Sequence, residues 1–335
     1  MPDQSPLWIA EADVVGLMDM GDAINALEKG LLAEARGDAV NMVKTHAMWG
    51  AGSTLHAIGA LFPKEGFVGT KTWAHTEGGA SPLLILFDSE NGSLKAIIEA
   101  FALGQMRTGG ASGVATRWLA REDADEFAII GTGKQAITQV AAVLAVRPIK
   151  RVRVFGRNEE RRAQFAVRVE KEFEIEAVAA RSIEEATAGA SIITLVTRAT
   201  EPIIEARMIA RGAHINAVGA IVPSRAEVAR NVLERSNKIV VDSVPQAQKL
   251  SRELMEYFGE PASEGWKRVT SLAQLVAARE VRDSGDDITL FKSLGMGISD
   301  LALGIELYRS ALENGLGRSF PHPQRAMPRL RASKR

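Results

Sequence analysis

Apolar residues return at helical spacing between Asp22 and Arg36, where Ile24, Leu27, Leu31 and Leu32 share one face and Gly37 supplies a stop. That pattern predicts an amphipathic helix. Alternation follows. Val40 to Met48, Leu55 to Leu61, Val68 to His75 and Leu83 to Phe87 read as strands, and Glu90-Asn91-Gly92 is a hairpin turn ahead of Leu94 to Ile98. The first third is therefore expected to be a helix with a largely antiparallel sheet. Leu103 to Leu119 is helical again but carries Gly109, Gly110 and Gly113. Each glycine costs a helix about 1 kcal/mol against alanine, so a packed neighbour or a ligand must approach this one closely.

After Arg121-Glu122-Asp123, short apolar runs alternate with helical stretches. Strands are expected over 126–131, 151–155, 174–179, 191–196, 213–218 and 238–242. Helices should begin near Asn158, Ser182, Glu205, Ser224 and Gln246. This is the pattern of a doubly wound parallel sheet of Rossmann type in an α/β protein. Asp287 to Ser293 is one more apolar run, and Gly297 to Leu312 is a final helix expected to return to the first unit. The expected division is 122–296 inserted between 1–121 and 297–335.

Composition narrows the class. Of 335 residues 46% are hydrophobic and 24% charged, and Lys plus Arg balance Asp plus Glu at 41 each, so no global charge favours nucleic acid or a membrane surface. The absence of cysteine excludes disulfides, thiolate metal sites and a cysteine nucleophile. The first residues carry acids where a secretory signal needs bases, and no apolar run reaches membrane-spanning length. A cytoplasmic protein is expected. The tail past Glu313 holds Arg318, Arg325, Arg329, Arg331, Lys334 and Arg335 without an acid and reads as a solvated extension.

Candidate chemistry begins at Gly131-Thr132-Gly133-Lys134-Gln135-Ala136, between the apolar run Phe127 to Ile130 and a helical stretch. In that context Gly131 permits a tight turn, Gly133 lets backbone approach a pyrophosphate, and Ala136 packs helix against strand. An ordinary glycine turn is the plainer alternative. At the end of the next strand, Gly156-Arg157-Asn158 offers an arginine where an acid would hold the ribose hydroxyls of NAD, which favours NADPH over NADH. A surface arginine at a helix start is the competing explanation. Lys44 and His46 share a strand face by the period of two, as do Lys71, Trp73 and His75, and Arg107 precedes the glycine-rich helix. These are site candidates if they face inward and solvated residues if they do not. His214 is expected to be structural. No serine elbow, metal-spaced histidine pair or P-loop is present, so no metal is expected.

Taken together, Val40-Asn41-Met42-Val43-Lys44-Thr45, Gly69-Thr70-Lys71, Asp88-Ser89-Glu90-Asn91-Gly92, Gln105-Met106-Arg107-Thr108, the Gly131–Ala136 turn, Asn216-Ala217-Val218-Gly219-Ala220 and Phe291-Lys292-Ser293-Leu294-Gly295 resemble the ornithine cyclodeaminase/mu-crystallin family, in family order along nearly the whole chain. The resemblance implies a Rossmann domain inserted in an α+β substrate-binding and dimerisation domain, hence a homodimer. It implies catalytic roles for Lys71 and Arg107, with Arg107 on a substrate carboxylate. Lys44 stands where many members have arginine. Thr108, Thr197, Val218, Ser293 and Gly295 are implied at the cofactor. One departure separates the activities: cyclodeaminases carry an aspartate where this chain has Ile221, and isoleucine cannot serve as a base. The expectation is an NAD(P)H-dependent imine reductase or amino-acid dehydrogenase acting on a small imino or oxo acid. A cyclodeaminase using bound NAD+ and a non-catalytic dinucleotide-binding protein are the alternatives. If His46 and His75 line the pocket with the lysines, its cationic character suits a dicarboxylate, iminosuccinate reduced to aspartate. Were they neutral spacers, pyruvate or a cyclic ketimine would serve.

Overall fold

The computed structural model describes residues 5–50 and 52–331. Two sheets organise it. The first runs, in hydrogen-bonded order, Arg318–Ser319, Leu7–Ile9, Leu94–Glu99, Leu83–Asp88, Phe67–Thr76, Ser53–Phe62 and Val40–Asn41, with Thr45–Trp49 also on Ser53–Phe62 and Gly79–Ala80 on Phe67–Thr76. Every pairing is antiparallel except Leu7–Ile9 with Leu94–Glu99. The turn at Asp88 to Gly92 forms as expected: the Asp88 carboxylate accepts from the backbone of Glu90 and Asn91, and Gly92 takes φ +71°.

Alternation decides which way this sheet faces. Ile58, Ala60, Phe62, Phe67, Lys71, Leu84, Leu86, Ala96 and Ile98 are buried beneath the helices Met20–Ala35, Phe101–Leu119 and Gly297–Asn314. Asp19 caps the first of these helices by accepting from Asp22 N at 2.9 Å. The last helix does return to the first sheet. Leu55 and Leu61, 50% and 44% exposed, stand on the opposite face, which no helix among the described residues covers.

The second sheet is entirely parallel, in the order Glu176–Ala179, Arg151–Phe155, Glu126–Ile130, Ile192–Leu195, Ala213–Ala217, Ile288–Lys292, Ser236–Val241 and Val269–Ser271. Apolar clusters lie on both faces: Phe127, Ile129, Val140, Val143, Val152 and Val154 on one, Ala128, Ile130, Ile193, Ile215 and Ile239 on the other. That is the doubly wound arrangement, and the run after Asp287 lies inside the sheet rather than at its edge. The switch point falls beside Glu126–Ile130, where the strand order reverses. The glycines of Phe101–Leu119 serve packing. A Cβ at Gly109 would stand 2.7 Å from the Thr138 carbonyl of the helix Ala136–Leu144, and Gly113 meets Ile24 in the same way.

Four expectations need correction. No helix starts at Glu205 or Ser224; a 3-10 turn Ala206–Met208 and a short helix Arg230–Arg235 stand there instead. Pro202 and Pro223 restrict the residues before them, and a bridge between Ile204 and Val228 uses backbone that a helix would have taken. The edge strand Val269–Ser271, only three residues long, carries no readable alternation. Lys44 is not on a strand. Asn41 donates to Glu34 Oε1 at 2.7 Å and accepts from Ile298 N at 3.0 Å, Met42 N still donates to Gly59 O at 2.9 Å, and the chain then leaves the ladder over Val43 and Lys44. The tail is in part structured, since Arg318–Ser319 pairs with Leu7–Ile9; 320–331 has no regular structure, and Lys334 and Arg335 lie outside the described residues. No helix among the described residues is long and apolar enough to cross a membrane.

Candidate active site

The glycine turn leaves Glu126–Ile130 at Gly131, whose φ of +117° and 2.6 Å clearance between a would-be Cβ and the Val196 carbonyl exclude any side chain. Gly131 N donates to Phe155 O at 2.8 Å, pinning the turn to the neighbouring strand. Gly133 has open space around it and Lys134 is exposed, while Ala136 is buried at the start of Ala136–Leu144. A would-be Cβ at Gly156 meets Thr132 at 3.0 Å, so the two strand ends close on each other. Arg157 is exposed beside them. Asn158 caps the helix Glu159–Phe173 by accepting from Arg161 N at 2.8 Å, and the first acid, Glu159, is exposed on that helix.

Two buried carboxylates that the sequence reading missed shape the other strand ends. Glu227 accepts from Thr197 N and Oγ1 at 2.7 and 2.8 Å, and from Gly219 N and Ala220 N at 2.8 and 3.0 Å. It thereby ties the loop after Ile192–Leu195 to the loop after Ala213–Ala217, which carries Val218. Asp242 Oδ2 accepts from Ser293 Oγ at 3.1 Å, Leu294 N at 2.6 Å and Gly295 N at 2.5 Å. Burial pushes the Asp242 carboxyl up, against those hydrogen bonds and the nearby Arg107 charge. Thr197 and Ser293 thus have hydroxyls already engaged inside the protein.

Gly295 leads to the second half of the site. A would-be Cβ there lies 3.0 Å from Arg107 Nη1, so the guanidinium rests against this loop. Arg107 Nε is 3.5 Å from Asp300 Oδ1, and the same oxygen accepts a hydrogen bond from Lys71 Nζ. Lys71 and Asp300 are buried, and Asp300 Oδ2 has no partner among the described residues. Burial pulls the Lys71 ammonium below its usual range; Asp300 opposes this, and Arg107 and Lys44 add to it. Lys44, half-buried, is lowered in the same way by burial and then by Arg107. Thr108 donates to Gly104 O at 2.9 Å, one turn back on the helix that also presents Arg107. The structure therefore brings Lys44, Lys71 and Arg107 together.

Of the histidines, His46 and His75 are exposed, and the residue between them is one not anticipated. His56 pairs with His46 on one side and Trp73 on the other. Its ring stacks on Trp73 at 4.7 Å and 14° and on His46 at 5.7 Å and 23°, and Lys71 Nζ lies 5.2 Å from the Trp73 ring centroid. Alternation with the buried Ile58 and Ala60 already placed His56 on this face, a signal present in the sequence. His214 is structural as expected, buried between Thr289 and Asn216 and lowered from 6.5 to about 3 by burial.

Against known families, residues 6–315 match the ornithine cyclodeaminase/mu-crystallin model. The chain belongs to the ornithine cyclodeaminase/mu-crystallin family. One family relative, the Δ(1)-pyrroline-2-carboxylate reductase of Bacillus cereus, is 33% identical over 272 residues, 78% of this chain and 80% of its own. The structure of Thermococcus litoralis Δ(1)-pyrroline-2-carboxylate reductase in complex with NADH and L-proline matches with a TM-score of 0.86 at 30% identity, over 94% of this chain and 100% of that one. An archaeal alanine dehydrogenase dimer with bound NAD matches with a TM-score of 0.86 at 28% identity, covering 95% and 99%. The fold is that of the family's NAD-binding reductases and dehydrogenases. Ile221, 38% exposed, follows the loop that Glu227 holds and offers no proton-transferring group there.

Proposed function

We propose that this protein is an NAD(P)H-dependent oxidoreductase acting on CH–NH or CH–NH2 groups, reducing the imine of a small 2-oxo acid to an L-amino acid. The observation that carries this reading is the buried Lys71–Asp300 pair beside Arg107, next to the carboxyl ends of the parallel strands, with isoleucine rather than an acid at 221. Open space at Gly133 and the start of Ala136–Leu144 fit a pyrophosphate, so Gly131, Thr132, Gly133, Lys134, Gln135 and Ala136 would hold it. Thr108, Thr197, Val218, Ser293 and Gly295 would border the nicotinamide, and Arg157 and Asn158 the adenosine. Arg157 at an acid-free strand end favours NADPH over NADH.

Bound there, a reduced nicotinamide supplies the hydride for the α-carbon. Arg107 holds the α-carboxylate, aided by Lys44, and this fixes the carbon to be reduced. Lys71 donates a hydrogen bond to the imine nitrogen and then a proton, regained from solvent. Asp300 opposes the loss of that lysine's charge on burial. Within this class we extend the reading to iminosuccinate, reduced to aspartate, because His46 and His75 share the sheet face of Lys71. The uncovered sheet face of Leu55 and Leu61 supports a homodimer, and the division 1–121 with 297–335 against 122–296 separates substrate and cofactor roles. The test is turnover of 2-oxo acids with ammonia or methylamine, followed by loss of reduced-nicotinamide absorbance. Consumption of NADPH or NADH that stops on Lys71→Ala supports the reading, and no turnover with any pair rejects it.

A further inference from the structure

Three neighbouring strands of the parallel sheet, Ile192–Leu195, Ala213–Ala217 and Ile288–Lys292, end side by side. Their last ladder bonds run from Val196 N to Ile130 O, from Val218 N to Leu195 O and from Ser293 N to Ala217 O. Past that line Thr197 N, Gly219 N and Ala220 N still need acceptors, because a buried backbone N–H left alone is costly. All three, together with the Thr197 hydroxyl, find the carboxylate of Glu227, which is 0% exposed. The two loops meet at backbone distance: a Cβ at Gly219 would stand 2.1 Å from the Thr197 carbonyl and 2.4 Å from Glu227 Oε1. Glu227 is itself held in place. Its N donates to Glu253 Oε1 at 2.9 Å, and its carbonyl accepts from Ile203 N at 2.9 Å. Lys292 Nζ, buried at the third strand end, donates to the same Glu253 oxygen at 3.3 Å.

We propose that Glu227 is a positioning residue for the nicotinamide end of the cofactor, locking the loops of Thr197 and of Val218 to Ala220 into the one surface against which the ring seats. This rests on the nicotinamide placement given above and is independent of the substrate. The Thr197 hydroxyl, which donates to Glu227 and accepts from Ala199 N at 3.1 Å, acts here through the loop and not on the ring. None of the hydrogen bonds made by the Glu227 carboxylate reaches the Gly131–Ala136 turn or Arg157, where the rest of the dinucleotide would lie. A carboxylate is acceptor-only, so each oxygen can serve two donors. Glutamine would turn one oxygen into a donor facing two others and release one loop from its partner. A residue that merely supported the fold would, on the same change, affect both ends of the dinucleotide alike or neither.

Calorimetric titration of NADH and of ADP-ribose, which lacks the nicotinamide, into the full-length protein separates the two roles, with NADPH and 2′-phospho-ADP-ribose as a second pair. The native protein should prefer the complete dinucleotide by about tenfold, and Glu227→Gln should abolish that preference while the ribose ligand keeps its affinity. Thr197→Val, which removes one of the four donors, should lower the preference part of the way. Val276→Ala, a loss of buried apolar volume on the helix Leu272–Ala278, should melt earlier with the preference intact. A Glu227→Gln protein, shown folded by its melting transition, that keeps the preference or weakens both ligands equally would overturn the proposal. So would a native protein that binds the two ligands equally, or a preference that Val276→Ala erodes as well. Should the Gln variant not fold, Thr197→Val decides alone. Failure of the cofactor assignment itself looks different, since the native protein would then bind neither member of either pair.

Discussion

Lys71 and Asp300, far apart in sequence, meet in the core of the first unit, and the oxygen that accepts from the ammonium lies 3.5 Å from Arg107 Nε. One carboxylate therefore holds two cations. Without it, nothing of that strength would oppose the burial that pulls the Lys71 ammonium below its usual range. Asp300→Asn should lower kcat/KM at least about a hundredfold. Because Asp300 raises the lysine pKa, its loss should also move the alkaline limb of the pH–rate profile to lower pH. Breaking a buried pair costs about 3–5 kcal/mol, so the variant should melt earlier as well. An unmoved alkaline limb would remove Lys71 as the proton donor.

The proposed cofactor preference rests on Arg157, exposed after the buried Gly156. NADPH should be preferred, and Arg157→Ala should cut the NADPH-to-NADH ratio of kcat/KM by about tenfold or more, the value of a charge-assisted phosphate contact. An unchanged ratio assigns the 2′-position to another group.

Ornithine should not be converted to proline by this protein with catalytic NAD+, since Ile221 provides no base. Proline and stoichiometric ammonia from purified enzyme would reinstate a cyclodeaminase.

Assembly can be read on the uncovered face of the first sheet. Leu55→Arg with Leu61→Arg should convert a dimer into a monomer by light scattering, because two charges would then lie in an apolar contact. A native protein that is monomeric at micromolar concentration contradicts the dimer outright.

Acid stability should show two opposed contributions. His214 is lowered from 6.5 to about 3. The unfolded chain binds its proton first, so the stability His214 contributes is complete above pH 6.5 and is lost as pH falls towards 3. Glu34 is raised from 4.5 to about 7 by burial. Its contribution is complete below 4.5 and is lost as pH rises towards 7. Between 4.5 and 6.5 the two slopes, each about 1.4 kcal/mol per pH unit, oppose each other. Glu34→Gln should therefore gain stability with rising pH across that window where the native protein stays flat, as urea midpoints would record. Parallel behaviour of the two proteins would argue against a half-buried, protonated Glu34.

The cofactor half was the more legible part of the chain because its signals are local. Strand, glycine turn and helix lie within a short stretch, and Gly131 and Ala136 declare their roles through backbone geometry. Lys71 was legible through the period of two. Lys44 was not, because the chain leaves the ladder just before it, after Asn41 bonds to Glu34 and Ile298, partners that no local pattern reveals. Asp300, Asp242 and Glu227 escaped for the same reason. Each acts on groups brought to it by the fold, and a lone acid in an apolar stretch says only that it has a partner. The helices expected near Glu205 and Ser224 failed where proline and a two-residue bridge outweighed helical periodicity.

The helix Phe101–Leu119 carries Arg107 two residues before Gly109, where it touches the backbone of Ala136–Leu144. With no side chain at Gly109 between them, the helix that presents Arg107 and the helix that begins at Ala136 are held at backbone distance, so neither can be repositioned without the other.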